Sequence, residues 1–263
     1  MSESRPISFD ARSLSGRVAV VTGASGGLGG SIVARLRAMG ASVVPLDLQA
    51  VPADEAGSLS LACDISDERS VGEAASKVKE KFGRCDILVN NAAILPKPVP
   101  LEEIDVQMWD RVLATNLRGP FLCSKHFGAM MLAQKQGAIV SVASIAATTP
   151  NTSGAYGPSK AAVLALTRQI AVEWGPRGVR ANSVSPGLVL TPMSEHIYQN
   201  PAIYEARTSA VASRRIGSSD ELADVVAFLA SDASSYVNGQ EITVDGGLLS
   251  TTLMRLQEAA KSP

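Results

Sequence analysis

The sequence has 263 residues, with 24 lysines and arginines against 25 aspartates and glutamates, giving a formal net charge of −1. This length predicts one large domain that needs neither disulfides nor a structural metal, and the balanced charge argues against nucleic-acid and anionic-membrane binding. With only two histidines and three widely spaced cysteines, Cys63, Cys85 and Cys123, we expect no metal site and reduced core cysteines. Apolar segments of signal-peptide or membrane-spanning type are lacking, so a soluble cytoplasmic protein is expected.

A rhythm of strands and helices follows a polar arm at residues 1–15, which we expect to be flexible. The predicted strands are Arg17–Thr22, Ala41–Asp47, Ser58–Cys63, Asp86–Asn90, Ala138–Ala143, Val179–Val184 and Glu241–Val244. The predicted helices are Gly27–Met39, Ser66–Phe82, Leu101–Thr115, Arg118–Lys135, Gly154–Trp174 and Asp220–Ser231. Strands that are apolar on both faces and alternate with helices indicate a parallel sheet covered on both sides. We therefore predict one α/β domain over residues 16–247.

Three features depart from this regular alternation. Pro45 falls inside the second predicted strand, where it cannot donate a hydrogen bond to a neighbour. Residues 186–217 form a long excursion, which in a compact domain is usually a functional lid. Residues 248–263 form a C-terminal tail with helical apolar spacing through Leu253 and Leu256, interpreted as a frayed helix or as a segment that contacts another subunit.

A glycine-rich turn joins the first strand to the first helix, in the order Thr22-Gly23-Ala24-Ser25-Gly26-Gly27-Leu28-Gly29. Such a turn lets the backbone approach a pyrophosphate, which the free N–H groups of the helix N-terminus can bind. The pattern is T-G-x-x-x-G-x-G rather than G-x-G-x-x-G, and a merely flexible loop is the alternative interpretation. Its place after the first strand favours dinucleotide binding. The predicted contacts in the turn are Gly23, Ser25, Gly27, Leu28 and Gly29.

Asp47 ends the second strand, eighteen residues after Gly29. A carboxylate at this point can accept hydrogen bonds from both hydroxyls of an adenosine ribose, and it would repel a 2′-phosphate. No lysine or arginine occurs in Gly23–Gly29 or Leu46–Ala53 to neutralise such a phosphate. We therefore predict NAD rather than NADP, against the alternative of a simply solvated strand-end aspartate.

Asp64 and Ile65 follow the third strand. An aspartate there could contact the adenine of the same cofactor. It could equally cap the next helix together with Ser66. Both interpretations stay open from the sequence.

Four polar residues downstream suggest acid/base chemistry. Tyr156 and Lys160 share one face at the start of a long helix. A free tyrosine has a pKa of about 10, and a nearby ammonium together with a cationic nicotinamide would lower it. Ser144 ends the fifth strand and could hold a substrate oxygen, while Asn116 could hold a water beside Lys160 and relay a proton. Singly each is more often structural, but the combination with the glycine turn indicates catalysis.

On these residues the chain resembles the classical short-chain dehydrogenase/reductase family, over about residues 14–247. The matching segments are TGASGGLG (22–29), CD (63–64), NNAA (90–93), Asn116, Ser144, YGPSK (156–160), SPG (185–187), Thr191 and VDGG (244–247). Two positions depart from the family pattern. Ala93 replaces a usual glycine, and Gly157-Pro158 lies inside the Tyr–Lys motif, where proline is tolerated in the first helical turn.

The resemblance implies a seven-stranded Rossmann-type sheet and hydride transfer with a nicotinamide. It implies that Tyr156 is the acid/base, that Lys160 binds the nicotinamide ribose and tunes Tyr156, that Ser144 orients the substrate, and that Asn116 belongs to a proton relay.

The resemblance also implies further cofactor contacts and an assembly. Residues Asn90 to Ala92 would lie along the adenosine ribose. The segment that would hold the nicotinamide carboxamide comprises Pro186, Gly187, Val189 and Thr191. A homotetramer is implied, paired through the helices at residues 101–135 and 154–174 and through the last strand.

These observations lead us to expect an NAD-dependent dehydrogenase that interconverts a secondary alcohol or polyol with its ketone. Residues 94–100, 145–152 and 188–215 should frame a mostly small and apolar pocket. The candidate carboxylate-binding side chains, each of which could instead be merely solvated, are Lys97, His196, Arg214 and Arg215. One alternative is an NADPH-dependent reductase of acyl-carrier-protein-linked or related ketones, which Asp47 disfavours. Another is a non-catalytic NAD-binding sensor or scaffold, which the intact catalytic set disfavours.

Overall fold

The computed structural model describes residues 13–50, 58–253 and 257. The strands in these ranges are β1 (Val18–Thr22), β2 (Ser42–Asp47), β3 (Leu61–Ala62), β4 (Ile87–Asn90), β5 (Gly137–Val142), β6 (Val179–Pro186), β7 (Val189–Leu190), β8 (Gly217–Ser218) and β9 (Glu241–Val244). The α-helices are α1 (Gly27–Ala38), α2 (Glu68–Phe82), α3 (Val106–Leu113), α4 (Gly119–Gln134), α5 (Tyr156–Trp174), α6 (Pro192–Tyr198), α7 (Pro201–Ala210) and α8 (Ser219–Ala230).

Seven of the strands form one parallel sheet in the order β3-β2-β1-β4-β5-β6-β9. This confirms the predicted doubly wound, seven-stranded Rossmann-type α/β architecture. The strand order reverses between β1 and β4, and open sheets of this kind bind ligands in the crevice beyond the carboxyl ends of the strands at such a point.

Both faces of the sheet are buried under helices. Successive strand residues point to opposite faces, so Val20 packs into the core beneath α2, α4 and α5, whereas Val21 packs with Ile32 of α1 and Val226 of α8. Two separate hydrophobic layers result, one on each side of the sheet. The three cysteines are free and buried, as the sequence predicts.

The packed domain begins earlier than residue 16, where we placed its start. Leu14 is only 2% exposed, and its N–H donates to the Met39 carbonyl oxygen at 2.9 Å. Residues 1–12 of the predicted arm lie outside the described residues. In the tail, a short 3₁₀ turn spans Leu248–Ser250, and the buried Thr251 hydroxyl donates to the Ala210 carbonyl oxygen at 3.0 Å. Leu256 also lies outside the described residues.

Several boundaries differ from prediction for local reasons. The third strand is only two residues long, and α2 starts at Glu68 because the Asp67 carboxylate caps it by accepting from the Arg69 N–H. Pro45 does lie within β2, paired with Val21 of β1. Strand β3 pairs with β2 only from Leu46 onward, so the missing N–H of Pro45 interrupts no ladder on that side.

The two helices expected at Leu101–Thr115 and Arg118–Lys135 form one helical stretch from Val106 to Gln134. A π-helical turn at Ala114–Arg118 joins α3 to α4. Such turns are rare and occur frequently at functional sites. Pro120 follows it and has no N–H, so it cannot donate to the carbonyl oxygen of residue 116, four positions earlier.

The excursion at residues 186–217 contains regular structure of its own. Pro186 ends β6. Strands β7 and β8 pair with each other, and helices α6 and α7 lie between them in the chain. Side chains from the two helices meet, since the Tyr198 and Tyr204 rings pack edge to face at 6.2 Å. Within the described ranges, no helix is both long and apolar enough to span a bilayer.

Candidate active site

The glycine turn after β1 is shaped for a close approach by a ligand. Gly23 has φ of +66°, and a Cβ there would lie 2.7 Å from the Ala92 Cα. A Cβ on Gly29 would lie 2.0 Å from the Gly23 carbonyl oxygen, so both positions require glycine. Helix α1 starts at Gly27 with no side-chain cap from Gly26. Its first N–H groups can therefore serve a pyrophosphate.

Asn91, which the sequence named only within the segment Asn90 to Ala92 and without a role of its own, holds this turn in place. Its side-chain amide donates to the Thr22 and Gly23 carbonyl oxygens, both at 3.0 Å. The Thr22 hydroxyl oxygen accepts from the Asn91 N–H at 3.0 Å and from the Ala92 N–H at 3.1 Å. The signal for this residue was its position just past the end of β4, facing the glycine turn.

The side chain of Asn90 points into the sheet layer. It is buried inside the sheet layer, where its amide nitrogen lies 3.4 Å from the Ser124 hydroxyl and 3.5 Å from the Ser141 hydroxyl. Because side chains alternate along a strand, Asn90 and Asn91 point in different directions. The Asn90 side chain is therefore engaged within the sheet, Ala92 lies beside the turn, and the placement of Asn90 to Ala92 along an adenosine ribose stays a prediction.

Asp47 stands at the carboxyl end of β2, directly against the glycine turn. Its Oδ2 accepts from the Ser25 N–H at 2.9 Å and from the Ser25 hydroxyl at 2.6 Å. Its Oδ1 accepts from the Leu48 N–H at 2.8 Å. Three donors thus hold the carboxylate beside the glycine turn, which is the predicted position of an adenosine ribose.

Asp64 does not cap α2, because the N-cap of that helix is Asp67, and its side chain instead closes a local turn with Ser66. Its Oδ1 accepts from the Ser66 N–H at 2.8 Å and from the Ser66 hydroxyl at 2.7 Å. Ile65 is 6% exposed and packs against the open backbone of Gly119, where an added Cβ would lie 2.6 Å from the Ile65 Cδ1. Ile65 thus packs against the start of α4, and the adenine contact of Asp64 and Ile65 stays a prediction.

Asn116 lies in the π turn and is 1% exposed. Its Oδ1 accepts from the Ile94 N–H at 2.7 Å, and its Nδ2 donates to the Ile94 carbonyl oxygen at 2.9 Å. The same Nδ2 donates to the Ser159 hydroxyl oxygen at 3.2 Å. The side chain is therefore occupied by protein partners, and any water beside Lys160 has to be held by other atoms of this residue.

Lys160 and Tyr156 project from the first turns of α5. The Lys160 ammonium is buried, donates to the Val142 carbonyl oxygen at 2.7 Å and lies 5.6 Å from the centre of the Tyr156 ring. Burial lowers the pKa of Lys160 to about 8. Burial also raises the pKa of Tyr156, and the nearby Ser144 hydroxyl offsets that rise in part.

The departures within the Tyr–Lys motif have a structural reason. A Cβ on Gly157 would lie 2.9 Å from the Ala146 carbonyl oxygen, so glycine lets α5 approach the 3₁₀ turn that follows Ser144. Helix α5 starts at Tyr156, which places Pro158 in its first turn, as expected. The Ser144 Oγ caps the 3₁₀ turn by accepting from the Ala146 N–H at 3.1 Å.

The segment after β6 lies at the same edge of the sheet. The Gly187 N–H donates to the Val244 carbonyl oxygen at 3.0 Å, and a Cβ on Gly187 would lie 2.6 Å from the Asp245 Cβ. Thr191 caps α6 in a reciprocal capping box with Ser194, whose hydroxyl also donates to the Val189 carbonyl oxygen at 2.8 Å. This segment therefore connects the carboxyl edge of the sheet to helices α6 and α7.

Comparisons with known proteins agree with this arrangement. The family model described as enoyl-(acyl carrier protein) reductase matches residues 23–249. D-threitol dehydrogenase of Mycolicibacterium smegmatis is 40% identical over 92% of this chain and 95% of its own length. Cis-4-hydroxycyclohexanecarboxylate dehydrogenase of Sinomonas cyclohexanicum is 40% identical over 88% of this chain and 96% of its own.

Solved structures are similar too. One is described as a putative NAD(P)-dependent gluconate 5-dehydrogenase of Beutenbergia cavernae with bound NADP at low occupancy. It superposes with a TM-score of 0.83 at 34% sequence identity, and the match covers 92% of this chain and 100% of that one.

Proposed function

The chain belongs to the short-chain dehydrogenase/reductase family of oxidoreductases, and from this we propose that it interconverts a secondary alcohol or polyol with its ketone, using NAD. The observation that carries the proposal is the meeting of Ser144, Tyr156 and Lys160 at the carboxyl edge of the sheet, beside the glycine turn. The relatives named above act, by their names, on hydroxyl-bearing compounds.

Ser144 and Tyr156 together form the substrate-oxygen site. The Ser144 hydroxyl follows β5, and the Tyr156 phenol lies close to it at the start of α5. An alcohol oxygen held by Ser144 presents its proton to Tyr156, which takes it as a general base. In the reverse direction, the Tyr156 phenol donates the same proton to a ketone oxygen.

Lys160 and Asn116 pass the proton from Tyr156 towards solvent in this proposal. The buried Lys160 ammonium lies 5.6 Å from the phenol ring, where its charge favours the phenolate once it turns from Val142. Because the Asn116 side chain is bonded to Ile94, its backbone carbonyl is the group left to hold a relay water, opposite Pro120. The proton then reaches solvent through this pair of residues.

The residues present fit a nicotinamide dinucleotide. Gly23 and Gly29 lie where an added Cβ would collide with neighbouring backbone atoms, and the N-terminus of α1 has no side-chain cap. Together they form a cradle for a pyrophosphate. When bound, the nicotinamide supplies the hydride acceptor or donor for the reaction. The backbone of Val189 and the side chain of Thr191 would hold its carboxamide, and Lys160 its ribose.

The preference for NAD over NADP rests on Asp47. Its carboxylate is fixed by Ser25 and Leu48 in a position to accept from ribose hydroxyls. A 2′-phosphate at this place would meet a fixed negative charge, and neither the glycine turn nor residues 46–53 contain a lysine or arginine to compensate. Since the gluconate dehydrogenase relative holds NADP, the choice has to be measured directly.

An uncharged polyol or alcohol suits the pocket better than a carboxylate. Two of the cations at its rim already bond within the protein: Arg215 forms a two-point ion pair with Glu221 at 2.5 and 2.8 Å, and Arg214 donates to the Ser209 carbonyl oxygen at 2.5 Å. The pocket loops are joined by a hydrogen bond from the Val99 N–H to the Thr152 carbonyl oxygen at 3.0 Å.

Self-association into a homotetramer is part of the proposal. A cavity of about 500 Å³ lies open on the surface formed by the π turn, α4 and α5. Its apolar lining includes Leu113, Leu117, Phe121 and Leu166, with Phe121 48% exposed. An apolar surface of this kind on two long helices is suited to packing against a second copy.

The test is an absorbance screen for NADH formation with secondary alcohols, polyols and hydroxy acids, run with NAD and NADP in parallel. Turnover with NAD on alcohols or polyols is the expected result. Turnover with NADP alone would retain the catalytic residues but refute the interpretation of Asp47. Binding of NADH without turnover on any compound class would instead favour the sensor or scaffold alternative.

A further inference from the structure

Ser159 connects the π turn to the catalytic helix. It is fully buried, and its hydroxyl donates to the Tyr156 carbonyl oxygen at 2.6 Å. The same oxygen accepts from the Asn116 side-chain amide at 3.2 Å. One hydroxyl thus joins the backbone of the residue proposed as acid/base to the side chain of the residue proposed as relay.

We propose that Ser159 is a positioning residue for proton transfer, which holds the π turn at a fixed distance from the first turn of α5. The inference rests on the proposed function, since it assigns a role within the same site. Ser159 itself touches neither substrate nor reacting atoms. It acts through Asn116, whose backbone carbonyl is the group proposed above to hold the relay water.

The secondary structure does not need this hydroxyl. The Tyr156 carbonyl lies in a regular helical turn and has the backbone N–H of Lys160 as its ordinary partner. The Asn116 side chain remains bonded to Ile94 at two points. The Asn116–Ser159 contact is the added tie, and it acts across two elements that are 43 residues apart in sequence.

This tie matters because the π turn can shift relative to α5. Its backbone is irregular, with Pro120 unable to complete the helical bonding after it. A small displacement of Asn116 would lengthen the step between its carbonyl and Lys160. The titratable group next to Lys160 is Tyr156, whose ring centre lies 5.6 Å from the buried ammonium.

The experiment compares Ser159→Ala with Thr167→Val. Thr167 lies on the same helix, is equally buried and also donates its hydroxyl to a backbone carbonyl, that of Val163 at 2.9 Å, but it has no contact with Asn116. Both variants lose one buried hydroxyl. Ser159→Cys, which keeps the volume with a weak hydrogen-bonding group, replaces the alanine variant if that one does not fold.

For Ser159→Ala we expect kcat at neutral pH to fall about tenfold with KM nearly unchanged, and the solvent deuterium isotope effect on kcat to rise. The reduction in kcat relative to the wild type should become smaller as pH rises, because proton release then limits turnover less. Deuterium exchange in the protein without substrate should quicken across residues 113–118. Thr167→Val should change none of these.

Ser159→Ala with unchanged exchange, or with the same rate deficit at every pH and an unaltered isotope effect, would overturn the positioning role. The proposed function is tested separately by Tyr156→Phe. If that variant is inactive while Ser159→Ala behaves like Thr167→Val, the function stands and the role of Ser159 does not. If Tyr156→Phe keeps full activity, the acid/base assignment fails first.

Discussion

The side chain of Asn116 binds the backbone of Ile94 at two points, through Oδ1 at 2.7 Å from the amide nitrogen and through Nδ2 at 2.9 Å from the carbonyl oxygen. Ile94 begins the loop at residues 94–100, which borders the predicted substrate pocket. A side-chain amide presents both N–H donors and a carbonyl acceptor, so it can bond a backbone N–H and carbonyl as a neighbouring strand would. Asn116 thereby ties the pocket loop to the π turn.

Replacing Asn116 with alanine should cost stability as well as rate. The N–H and carbonyl groups of Ile94 would lose their partners in a half-buried setting, at a cost of roughly 2–4 kcal/mol for the pair. Denaturant unfolding should show the loss as a lower midpoint. Asn151→Ala, which removes a single exposed bond to the Ser153 N–H, is the control and should change the midpoint little. Equal effects of the two variants would contradict this account.

Tyr156→Phe should reduce kcat by about 10²–10⁴-fold while NADH binding stays within twofold, because only the proton-transferring oxygen is removed. Burial raises the pKa of Tyr156, so the phenolate becomes more populated as pH increases. In the wild-type protein, alcohol oxidation should therefore accelerate from neutral towards alkaline pH, and ketone reduction should slow. Steady-state rates in both directions test this, and a flat oxidation profile would argue against Tyr156 as the base.

Asp47→Ala should weaken NAD binding and raise the NADP-to-NAD ratio of kcat/KM by about tenfold or more, since a fixed charge that repels a 2′-phosphate is removed. Asp64→Ala is the matched control, because Asp64 bonds locally to Ser66 and should leave the ratio nearly constant. Fluorescence titration with NADH and NADPH gives the same comparison without a substrate. An unchanged preference in Asp47→Ala would assign cofactor selection to other residues.

Gly29→Ala and Gly30→Ala should behave oppositely although the residues are adjacent in α1. A Cβ at Gly29 would lie 2.0 Å from the Gly23 carbonyl oxygen, which forces the cradle open. The nearest atom to a Cβ at Gly30 is 3.9 Å away, an ordinary contact. We expect Gly29→Ala to lose NADH affinity at least tenfold and melt earlier. Gly30→Ala should bind normally and gain up to about 1 kcal/mol from helix propensity.

Phe121→Glu should dissociate the assembly by placing a charge in the apolar cavity bordered by Leu117 and Leu166. Light scattering coupled to gel filtration should give a tetramer mass for the wild type and a smaller species for the variant. Tyr236→Glu, at a fully exposed position outside these helices, should retain the wild-type mass. A monomeric wild-type protein would refute the proposed tetramer.

Local and periodic features were readable from the sequence. The strand Glu241–Val244 was bounded correctly because short strand patterns between turns depend on near neighbours. The glycine turn was recognisable because a ligand cradle needs glycines at fixed spacing. The direction of the Asn90 side chain depends on the alternation at the end of β4, which the sequence pattern alone does not reveal.

The sequence by itself determined the family, the parallel sheet and the set of polar residues from Asn116 to Lys160, since each follows from periodicity or from a motif. Tertiary structure alone decided how those residues are used. Only packing shows that Asn116 lies in a π turn with its side chain bound to Ile94, that Ser159 joins that turn to α5, and that Lys160 is buried enough for its pKa to fall to about 8. Hydrogen-bond direction and burial depend on residues distant in the chain, which local patterns do not encode.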